Sequence, residues 1–206
     1  MTDVDGIILA AGASRRLGRP KQLLELDGRR ILDIVLHHAK LSRLRNIYLV
    51  LGSNADRISA AVSDHGQRTV VNHDFAAGQS TSLLAGMLCL PQDTAAALVL
   101  LGDQPQVTPT IIDRLIVASE TDAASIIMPS YGGTPGNPVL FRRAVFPALL
   151  AITGDRGARD VINARRDSVT TVPFPTMSPP LDVDTEDDYA TLQRAWAADR
   201  HDMDRP

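Results

Sequence analysis

The chain has 206 residues, of which 44% are hydrophobic and 22% charged, and its formal net charge is −3. These values are typical of one globular domain and give no overall attraction to nucleic acid or to a membrane surface. The apolar runs are too short to cross a bilayer, no basic signal-peptide region precedes them, and the single cysteine excludes an internal disulfide, so we expect a cytoplasmic protein.

The first predicted element is a short buried strand at residues 7–10, which opens into a small basic loop. Gly12 and Gly18 let the backbone turn its N–H groups toward an anion. Four cationic side chains follow in the same loop: Arg15, Arg16, Arg19 and Lys21. Five residues separate the two glycines, so the loop is neither a Walker A loop nor a dinucleotide fingerprint. The pattern predicts a phosphate site, and a surface loop with solvated arginines remains the alternative.

Strands and helices alternate along the rest of the chain. Apolar runs between turn residues predict further strands at residues 46–51, 69–72, 96–101, 125–128, 139–141 and 169–172. Helical spacing and capping residues predict helices at residues 31–41, 55–64, 80–90, 109–119, 142–152, 158–165 and 186–198. The apolar neighbours of Cys89 predict a buried thiol. The alternation predicts a single three-layer, Rossmann-like α/β domain at residues 1–198 with a mostly parallel sheet, followed by a polar tail at 199–206.

Several polar segments follow the predicted strands directly. The basic loop follows the first strand, Gly78, Gln79 and Ser80 follow the third, and Asp103 follows the fourth. Ligands of such sheets bind beyond the carboxyl ends of the strands, so these segments are expected to line one crevice. The helix that begins near Ser80 offers free N–H groups as a second candidate anion site.

Three aspartates are candidate metal ligands. Asp103 ends the most apolar strand, and Asp182 and Asp184 lie on one side of an extended segment. Mg²⁺ prefers one or two carboxylates together with phosphate oxygens and water. The alternatives are a turn or capping role for Asp103, and capping of the last helix for Asp182 and Asp184. Carboxylates and cations around one crevice predict a metal-bound polyphosphate substrate, for which positioning and electrostatics supply most of the catalysis.

Five motifs in order resemble the MobA-like nucleotidyltransferases, and most closely the molybdenum cofactor cytidylyltransferase branch. They are Leu9-Ala10-Ala11-Gly12-x-Ser14-x-Arg16-x-Gly18-x-x-Lys21, Leu101-Gly102-Asp103-Gln104-Pro105, Gly136-Asn137-Pro138-Val139, Gly154-Asp155-x-Gly157-x-Arg159 and Asp182-Val183-Asp184-Thr185. The resemblance covers nearly the whole chain. It implies a nucleotide-diphospho-sugar transferase-like fold with a mixed, mostly parallel sheet.

The resemblance also implies a reaction. CMP would pass from CTP to the phosphate of molybdenum-bearing molybdopterin, giving molybdopterin cytosine dinucleotide and pyrophosphate, with Mg²⁺ as cofactor and an apo molybdenum hydroxylase as a further partner. Ala11 matches the cytidine-using pattern, whereas the guanylyltransferase branch has glycine there. Three alternatives remain: another base or phosphate-monoester acceptor, a non-catalytic molybdopterin-binding chaperone, and an oxidoreductase on the same scaffold, which would lack a dinucleotide fingerprint.

The site residues implied by the resemblance fall into four groups. The nucleotide-binding group is Leu9, Ala10, Ala11, Gly12, Ser14, Arg16, Gly18, Lys21, Gly78, Gln79, Ser80 and Asp103. The catalytic group is Arg16, Lys21 and Asp103, and the metal ligands are Asp103, Asp182 and Asp184. The acceptor-binding group is Ser82, Gly136, Asn137 and Arg159. The Arg19-Pro20 pair departs from the family pattern but leaves the spacing to Lys21 intact.

Overall fold

The chain folds into a central sheet with helices on both faces. The computed structural model describes the backbone of residues 3–203 and the side chains of residues 3–198. The strands are β1 (Val4–Leu9), β2 (Glu25–Leu26), β3 (Arg29–Arg30), β4 (Ile47–Leu51), β5 (Arg68–Val71), β6 (Ala96–Leu101), β7 (Ile126–Tyr131), β8 (Thr134–Pro135), β9 (Val139–Arg142) and β10 (Val169–Phe174). The α-helices are α1 (Ile31–Leu41), α2 (Ala55–Ala61), α3 (Gln79–Leu88), α4 (Pro109–Thr121), α5 (Phe146–Leu150), α6 (Arg159–Ala164) and α7 (Glu186–Met203).

The sheet is mixed and mostly parallel, as predicted. Its strand order is β10-β7-β9-β6-β1-β4-β5, with β8 paired to β7. Strand β9 runs antiparallel between β6 and β7, and the other strands of this path share one direction. Strands β2 and β3 form a separate hairpin. The carboxyl ends of β1, β4, β5 and β6 therefore meet at one edge, where ligands bind in sheets of this kind.

Alternation along the central strands builds the two main cores. Ile8 of β1 packs with Leu32 of α1 and Ile112 of α4 on one face. Its neighbour Ile7 points to the opposite face, where it packs with Leu83 of α3. Each face buries its own layer of helices, so the domain has the three layers that the sequence predicts.

A third apolar cluster fixes the basic loop to the last helix. Leu17, from the middle of the loop, packs with Ile31 of α1. Val183 and Leu192 join the same cluster from the segment before α7 and from α7 itself. Residues from both ends of the sequence are thereby held together beside the carboxyl edge of the sheet, and this packing brings distant polar residues into one place.

Most predicted elements are present, and three differences stand out. Pro147 lies in the middle of the predicted helix at 142–152, which is instead a 3₁₀ turn at Arg143–Val145 followed by the short α5, and Pro147 lies in the first turn of α5. The last helix extends past the predicted end at 198 into the expected tail as far as Met203, and residues 204–206 lie outside the described part. Strands β2, β3 and β8 were not predicted because each has only two residues.

None of the described helices is long and apolar enough to span a membrane.

The prediction of a buried Cys89 thiol is wrong. Cys89 caps the carboxyl end of α3 and is exposed. Helix α3 buries Leu83, Gly86 and Met87, which recur at helical spacing on the side that faces the sheet. Leu88 and Cys89 fall on the opposite side, so an apolar local sequence did not produce burial at this position.

A buried charge cluster ties the amino ends of three central strands together. The Asp5 side chain on β1 is fully buried at 0% exposure. It accepts hydrogen bonds from Arg45 Nη2 (2.7 Å) and Asn46 Nδ2 (2.8 Å), just before β4, and from the Thr94 hydroxyl, just before β6. Burial alone would raise the pKa of Asp5, but the hydrogen bonds from Arg45, Thr94 and Asn46 outweigh it and lower the pKa below its usual value.

We expect the variant Arg45→Met to lower the free energy of unfolding by about 3–5 kcal/mol at neutral pH, because it leaves the buried Asp5 carboxylate without its counter-ion. The matched control Arg43→Met removes the half-exposed pair with Glu120 and should cost at most about 1 kcal/mol. A group with a lowered pKa stabilises the fold above its unfolded pKa and loses that contribution as the pH falls through its folded pKa. Urea denaturation should therefore show that the loss of unfolding free energy caused by Arg45→Met becomes smaller below about pH 4. Equal midpoints for the two variants at neutral pH would contradict the assignment.

Candidate active site

Three adjoining compartments form a cleft at the carboxyl edge of the sheet. The central compartment has a volume of about 390 Å³. The predicted residues that line it are Leu9, Ala10, Ala11, Gly12, Lys21, Gly78, Gln79, Ser82, Asp103, Arg159, Asp182 and Asp184. The loop compartment, of about 370 Å³, adds Ser14 and Arg16, and a side pocket of about 100 Å³ adds Asn137. Residues that lie far apart in the sequence therefore share one cleft, as the strand ends predict.

The basic loop is held in a tight, internally bonded turn. Ser14 has a φ of +49° and Gly18 a φ of +70°, and the Gly18 amide donates to the Ser14 carbonyl oxygen at 3.0 Å. The Lys21 amide donates to Ser14 Oγ at 3.2 Å. Gln22, which is buried, donates from Nε2 to the Ala10 carbonyl oxygen at 2.8 Å. These bonds fix the loop, so Gly18 acts through the shape of the turn, since it does not line the cleft.

Lys21 joins two of the predicted carboxylates at the floor of the cleft. Its Nζ donates to Asp103 Oδ2 at 2.6 Å and to Asp184 Oδ1 at 3.1 Å. Arg16 Nη2 pairs with the second oxygen of Asp184. Asp182 accepts a hydrogen bond from Gln104 Nε2 at 2.7 Å. Arg16 and Lys21 thus meet Asp103 and Asp184 in one network, although 82 positions separate Lys21 from Asp103. Asp182 lines the same compartment without a bond to this network.

Burial sets the electrostatics of this network. Desolvation raises the pKa of Asp103 above its usual value, and the nearby Lys21 ammonium offsets only part of that rise. Desolvation lowers the pKa of Lys21, but the charges of Asp103 and Asp184 outweigh this and leave the pKa raised. Lys21 therefore stays cationic at neutral pH. The Lys21 side chain is 18% exposed and that of Asp103 is 9% exposed, so this pair is little screened by solvent.

Capping of the last helix is carried out by other residues. Asp188 accepts hydrogen bonds from the Thr185 amide at 2.8 Å and from the Asp184 amide at 3.2 Å. The Asp188 amide in turn donates to Thr185 Oγ1 at 3.2 Å, which completes a reciprocal cap. The side chains of Asp182 and Asp184 therefore do not cap α7, and they face the cleft instead.

The cleft suits a divalent cation only together with phosphate. Among the described residues, no group of three His, Cys, Asp or Glu side chains is arranged to hold a metal ion. Lys21 instead lies within hydrogen-bonding distance of both Asp103 and Asp184. Mg²⁺ commonly uses one or two carboxylates and takes its other ligands from substrate phosphates and water. Asp103 with Asp182 or Asp184 fits that donor set once a phosphate draws Lys21 away.

The segment around Gly78 closes the cleft opposite Lys21. Gly78 has a φ of +118°, and a Cβ there would lie 2.6 Å from Asp155 Oδ1 and 2.7 Å from the Gly154 carbonyl carbon, so only glycine fits. Ser80 is 2% exposed and its amide donates to the Gly154 carbonyl oxygen at 3.1 Å. That amide is therefore not available to an anion, contrary to the prediction for the start of this helix. The Ser80 side chain also does not line the cleft.

The predicted acceptor residues lie in different surroundings. Ser82 lines the central compartment and accepts a hydrogen bond from Asn72 Nδ2 at 3.0 Å. Asn137 and Arg159 line the mostly apolar side pocket. Gly136 packs against the Tyr131 ring and does not line the cleft, so its contribution there is structural.

Two residues without a predicted role, Phe75 and Asp155, line both large compartments. Asp155 lies within a motif of the resemblance, and its position between two glycines was a usable signal. Phe75 lies in a short 3₁₀ turn, Phe75–Ala77, between β5 and α3. A lone phenylalanine in a loop carries no periodic pattern, so nothing in the local sequence indicated it.

Two curated relatives align with most of the chain. Nicotine blue oxidoreductase of Paenarthrobacter nicotinovorans is 34% identical over 194 residues, covering 88% of this chain and 92% of the relative. Molybdenum cofactor cytidylyltransferase of Escherichia coli strain K12 is 29% identical over 201 residues, covering 95% of this chain and 98% of the relative. Proteins with two different named activities are thus similar to this chain over nearly its whole length.

The fold and the family model agree with the motifs. The crystal structure of Rv0371C in complex with manganese, from Mycobacterium tuberculosis H37Rv, superposes with a TM-score of 0.83 at 32% identity, covering 94% of this chain and 100% of that chain. The fold is that of the nucleotide-diphospho-sugar transferases. The model of the MobA-like NTP transferase domain matches residues 6–169, which include the basic loop and Asp103. The chain therefore belongs to the MobA-like NTP transferase family.

Proposed function

We propose that this protein transfers CMP from CTP to the phosphate of molybdenum-bearing molybdopterin, giving molybdopterin cytosine dinucleotide and pyrophosphate. The observation that carries the proposal is the network of Lys21 with Asp103 and Asp184 at the floor of the cleft. It brings a phosphate-binding cation and candidate metal ligands to one point beyond the strand ends, which is what a metal-bound triphosphate requires.

The choice of CTP is supported by the first motif. Ala11 lines the central compartment and matches the cytidine-using pattern of the family branch. A relative named as a cytidylyltransferase shares 29% of aligned residues along 95% of the chain. The acceptor assignment draws on the same relative and on the side pocket, where Arg159 and Asn137 adjoin apolar side chains.

In this proposal the loop residues 11–21 hold the triphosphate. Arg16 and Lys21 exchange their carboxylate partners for phosphate oxygens, and they stabilise the charge that develops on the leaving pyrophosphate. The exchange frees Asp103 and Asp184. Asp103 and Asp184 would then hold a divalent cation, which would supply positive charge to offset the negative charge of the phosphates. An oxygen of the acceptor phosphate attacks the α-phosphorus of CTP in line, and the bond from this phosphorus to the pyrophosphate oxygen breaks.

The residues of the chain supply no nucleophile in this scheme. Their contribution is to position two phosphates and to compensate charge, which can account for most of the rate enhancement in such transfers. The product would then pass to an apo molybdenum hydroxylase. The presence of Lys21, Asp103 and Asp184 in one network argues against a non-catalytic chaperone, because a carrier has little use for a metal site.

A second candidate function is an oxidoreductase, which the relative named nicotine blue oxidoreductase favours. Against it, the chain has no G-x-G-x-x-G fingerprint after β1. The measurement that separates the two is direct. We expect no loss of nicotine blue absorbance when the chain is mixed with that dye and a reduced nicotinamide cofactor, and sustained dye reduction would favour the oxidoreductase.

The proposal is tested by incubating the chain with CTP, GTP, ATP or UTP, a divalent cation and molybdenum-loaded molybdopterin. We expect mass analysis to show molybdopterin cytosine dinucleotide with CTP, and one pyrophosphate released for each product formed. Parallel reactions with Mg²⁺, with Mn²⁺ and with a chelator establish the metal requirement. A dinucleotide with another base would replace the CTP assignment. Binding of molybdopterin without any nucleotidyl transfer would favour the chaperone.

A further inference from the structure

Phe75 is a large aromatic side chain that lies outside the apolar cores. The chain has four phenylalanines, and Phe141, Phe146 and Phe174 pack in or against the two main clusters. Among the described residues, Phe75 belongs to none of the three clusters. It is half-buried and lines both the central and the loop compartments of the cleft. The three apolar clusters therefore do not use the apolar surface of Phe75, and this surface is available to a ligand of the cleft.

The turn that carries Phe75 is held rigidly by side-chain hydrogen bonds. Asn72 is buried, and its Oδ1 accepts from the Asp74 amide at 2.9 Å while its Nδ2 donates to Thr81 Oγ1 at 2.9 Å. Thr81 Oγ1 in turn donates to the Asp74 and Gly78 carbonyl oxygens at 3.0 and 2.8 Å. The backbone on both sides of Phe75 is therefore anchored to the start of α3, which lowers the entropy cost of using the ring as a binding surface.

The position of Phe75 beside the basic loop depends on Gly52, a glycine in the connection that follows β4. A Cβ on Gly52 would lie 2.6 Å from Phe75 Cβ and 2.9 Å from Ala11 Cβ. Only glycine at this position lets Phe75 and Ala11 approach each other across the end of β4. Phe75 and Ala11 thus both lie against Gly52, and both line the central compartment.

We propose that Phe75 is a nucleotide-binding residue whose ring stacks on the nucleobase of the NTP, and this inference depends on the proposed function. Aromatic side chains bind bases through their π-faces, and such stacking tolerates any base. The ring therefore adds affinity for a nucleoside triphosphate over inorganic triphosphate. Because stacking tolerates any base, the ring leaves the choice of base to hydrogen-bonding groups of the cleft.

The planar ring of the acceptor would offer the same chemistry to Phe75. The arrangement of the cleft favours the nucleobase. Phe75 lines the two compartments that contain Gly12 and Lys21, and it does not line the side pocket of Asn137 and Arg156. Measuring the binding of CTP and of molybdopterin to the same variants distinguishes stacking on the nucleobase from stacking on the acceptor ring.

The test compares binding of CTP, of inorganic tripolyphosphate and of molybdopterin to the full chain by calorimetry. We expect Phe75→Ala to weaken CTP binding about tenfold. Tripolyphosphate binding should change less than about twofold, because this ligand has no base to lose the stack. Phe75→Tyr and Phe75→Trp should keep CTP binding near that of the wild type. Leu88→Ala, which removes an exposed apolar side chain from the end of α3, is the matched control and should change neither affinity.

A second measurement reports the stack directly. The only tryptophan of the chain is Trp196, so Phe75→Trp in a Trp196→Phe background places a single tryptophan at the cleft, which can be excited selectively. We expect its fluorescence to be quenched by CTP and not by tripolyphosphate. Equal weakening of CTP and tripolyphosphate in Phe75→Ala would overturn the stacking role, as would weakening of molybdopterin alone. If the wild-type chain binds no NTP, the proposed function and this inference both fail, whereas unchanged CTP affinity in a folded Phe75→Ala variant overturns this inference alone.

Discussion

The variant Lys21→Ala is expected to lower turnover about 10²–10³-fold, the effect typical of losing one preorganised electrostatic partner of the transition state. In the ligand-free protein the Lys21 ammonium contacts Asp103 at 2.6 Å and Asp184 at 3.1 Å. In the proposed reaction it moves to the departing pyrophosphate. Steady-state pyrophosphate release measures the loss. Wild-type turnover in this variant would refute the role of Lys21.

The chain offers a matched control for this experiment, because Lys40 is its only other lysine. Lys40 lies on α1 with an exposed side chain, so Lys40→Ala should leave turnover unchanged. Removing Lys21 also leaves the buried Asp103 beside Asp182 without a counter-charge, and some destabilisation is expected. Thermal unfolding of both variants separates lost stability from lost catalysis. Lys21→Arg keeps the charge but changes its geometry, and an intermediate rate there would support a positioned point charge.

The variant Asp103→Asn is expected to lose more activity than Lys21→Ala, above about 10³-fold, since it weakens the metal site whose charge stabilisation is worth several kcal/mol. Asp103 is only 7% exposed, and its pKa is raised, chiefly by burial. A carboxyl with a raised pKa becomes protonated at a higher pH than usual and then cannot bind a cation. Turnover of the wild type should therefore fall as the pH drops through this raised pKa.

Titration with Mg²⁺ or Mn²⁺ distinguishes a metal ligand from a turn residue at Asp103. We expect Asp103→Asn to need a much higher metal concentration for its residual turnover. The exposed Asp56 on α2 supplies the control, and Asp56→Asn should behave as the wild type. A normal metal dependence in Asp103→Asn would reduce Asp103 to a structural role at the end of β6.

Local sequence was sufficient for most of the fold. Strand β6 occupies residues 96–101 as predicted, because an unbroken apolar run between turn residues has one stable outcome in a buried sheet. Errors arose where the local pattern and the tertiary packing disagree. The apolar setting of Cys89 suggested burial, but the face of α3 that meets the sheet decides which residues are covered. Two-residue strands such as β8 have no periodicity to detect.

The candidate site divides in the same way. The place of the basic loop and of Asp103 was predictable, because chain direction alone puts the ends of β1 and β6 at one edge of the sheet. Their partners were not predictable. That Thr185 and Asp188 cap α7, and so leave the Asp184 side chain in the cleft, depends on the packing of the segment before α7. The position of Phe75 depends likewise on Gly52, a residue from another strand connection.

By itself, the sequence determined the order and type of the main elements, the basic, glycine-containing character of residues 11–21 and the set of acidic residues near the cleft, since these follow from side-chain chemistry and local periodicity. The tertiary structure alone decided the antiparallel insertion of β9 between β6 and β7, the pairing of Lys21 with Asp103 and Asp184, and the place of Phe75 beside Ala11. The physical reason is the separation along the sequence over which each kind of interaction acts. Periodicity records which side of an element is buried, whereas contacts between residues 80 to 160 positions apart are set by how the buried faces pack together.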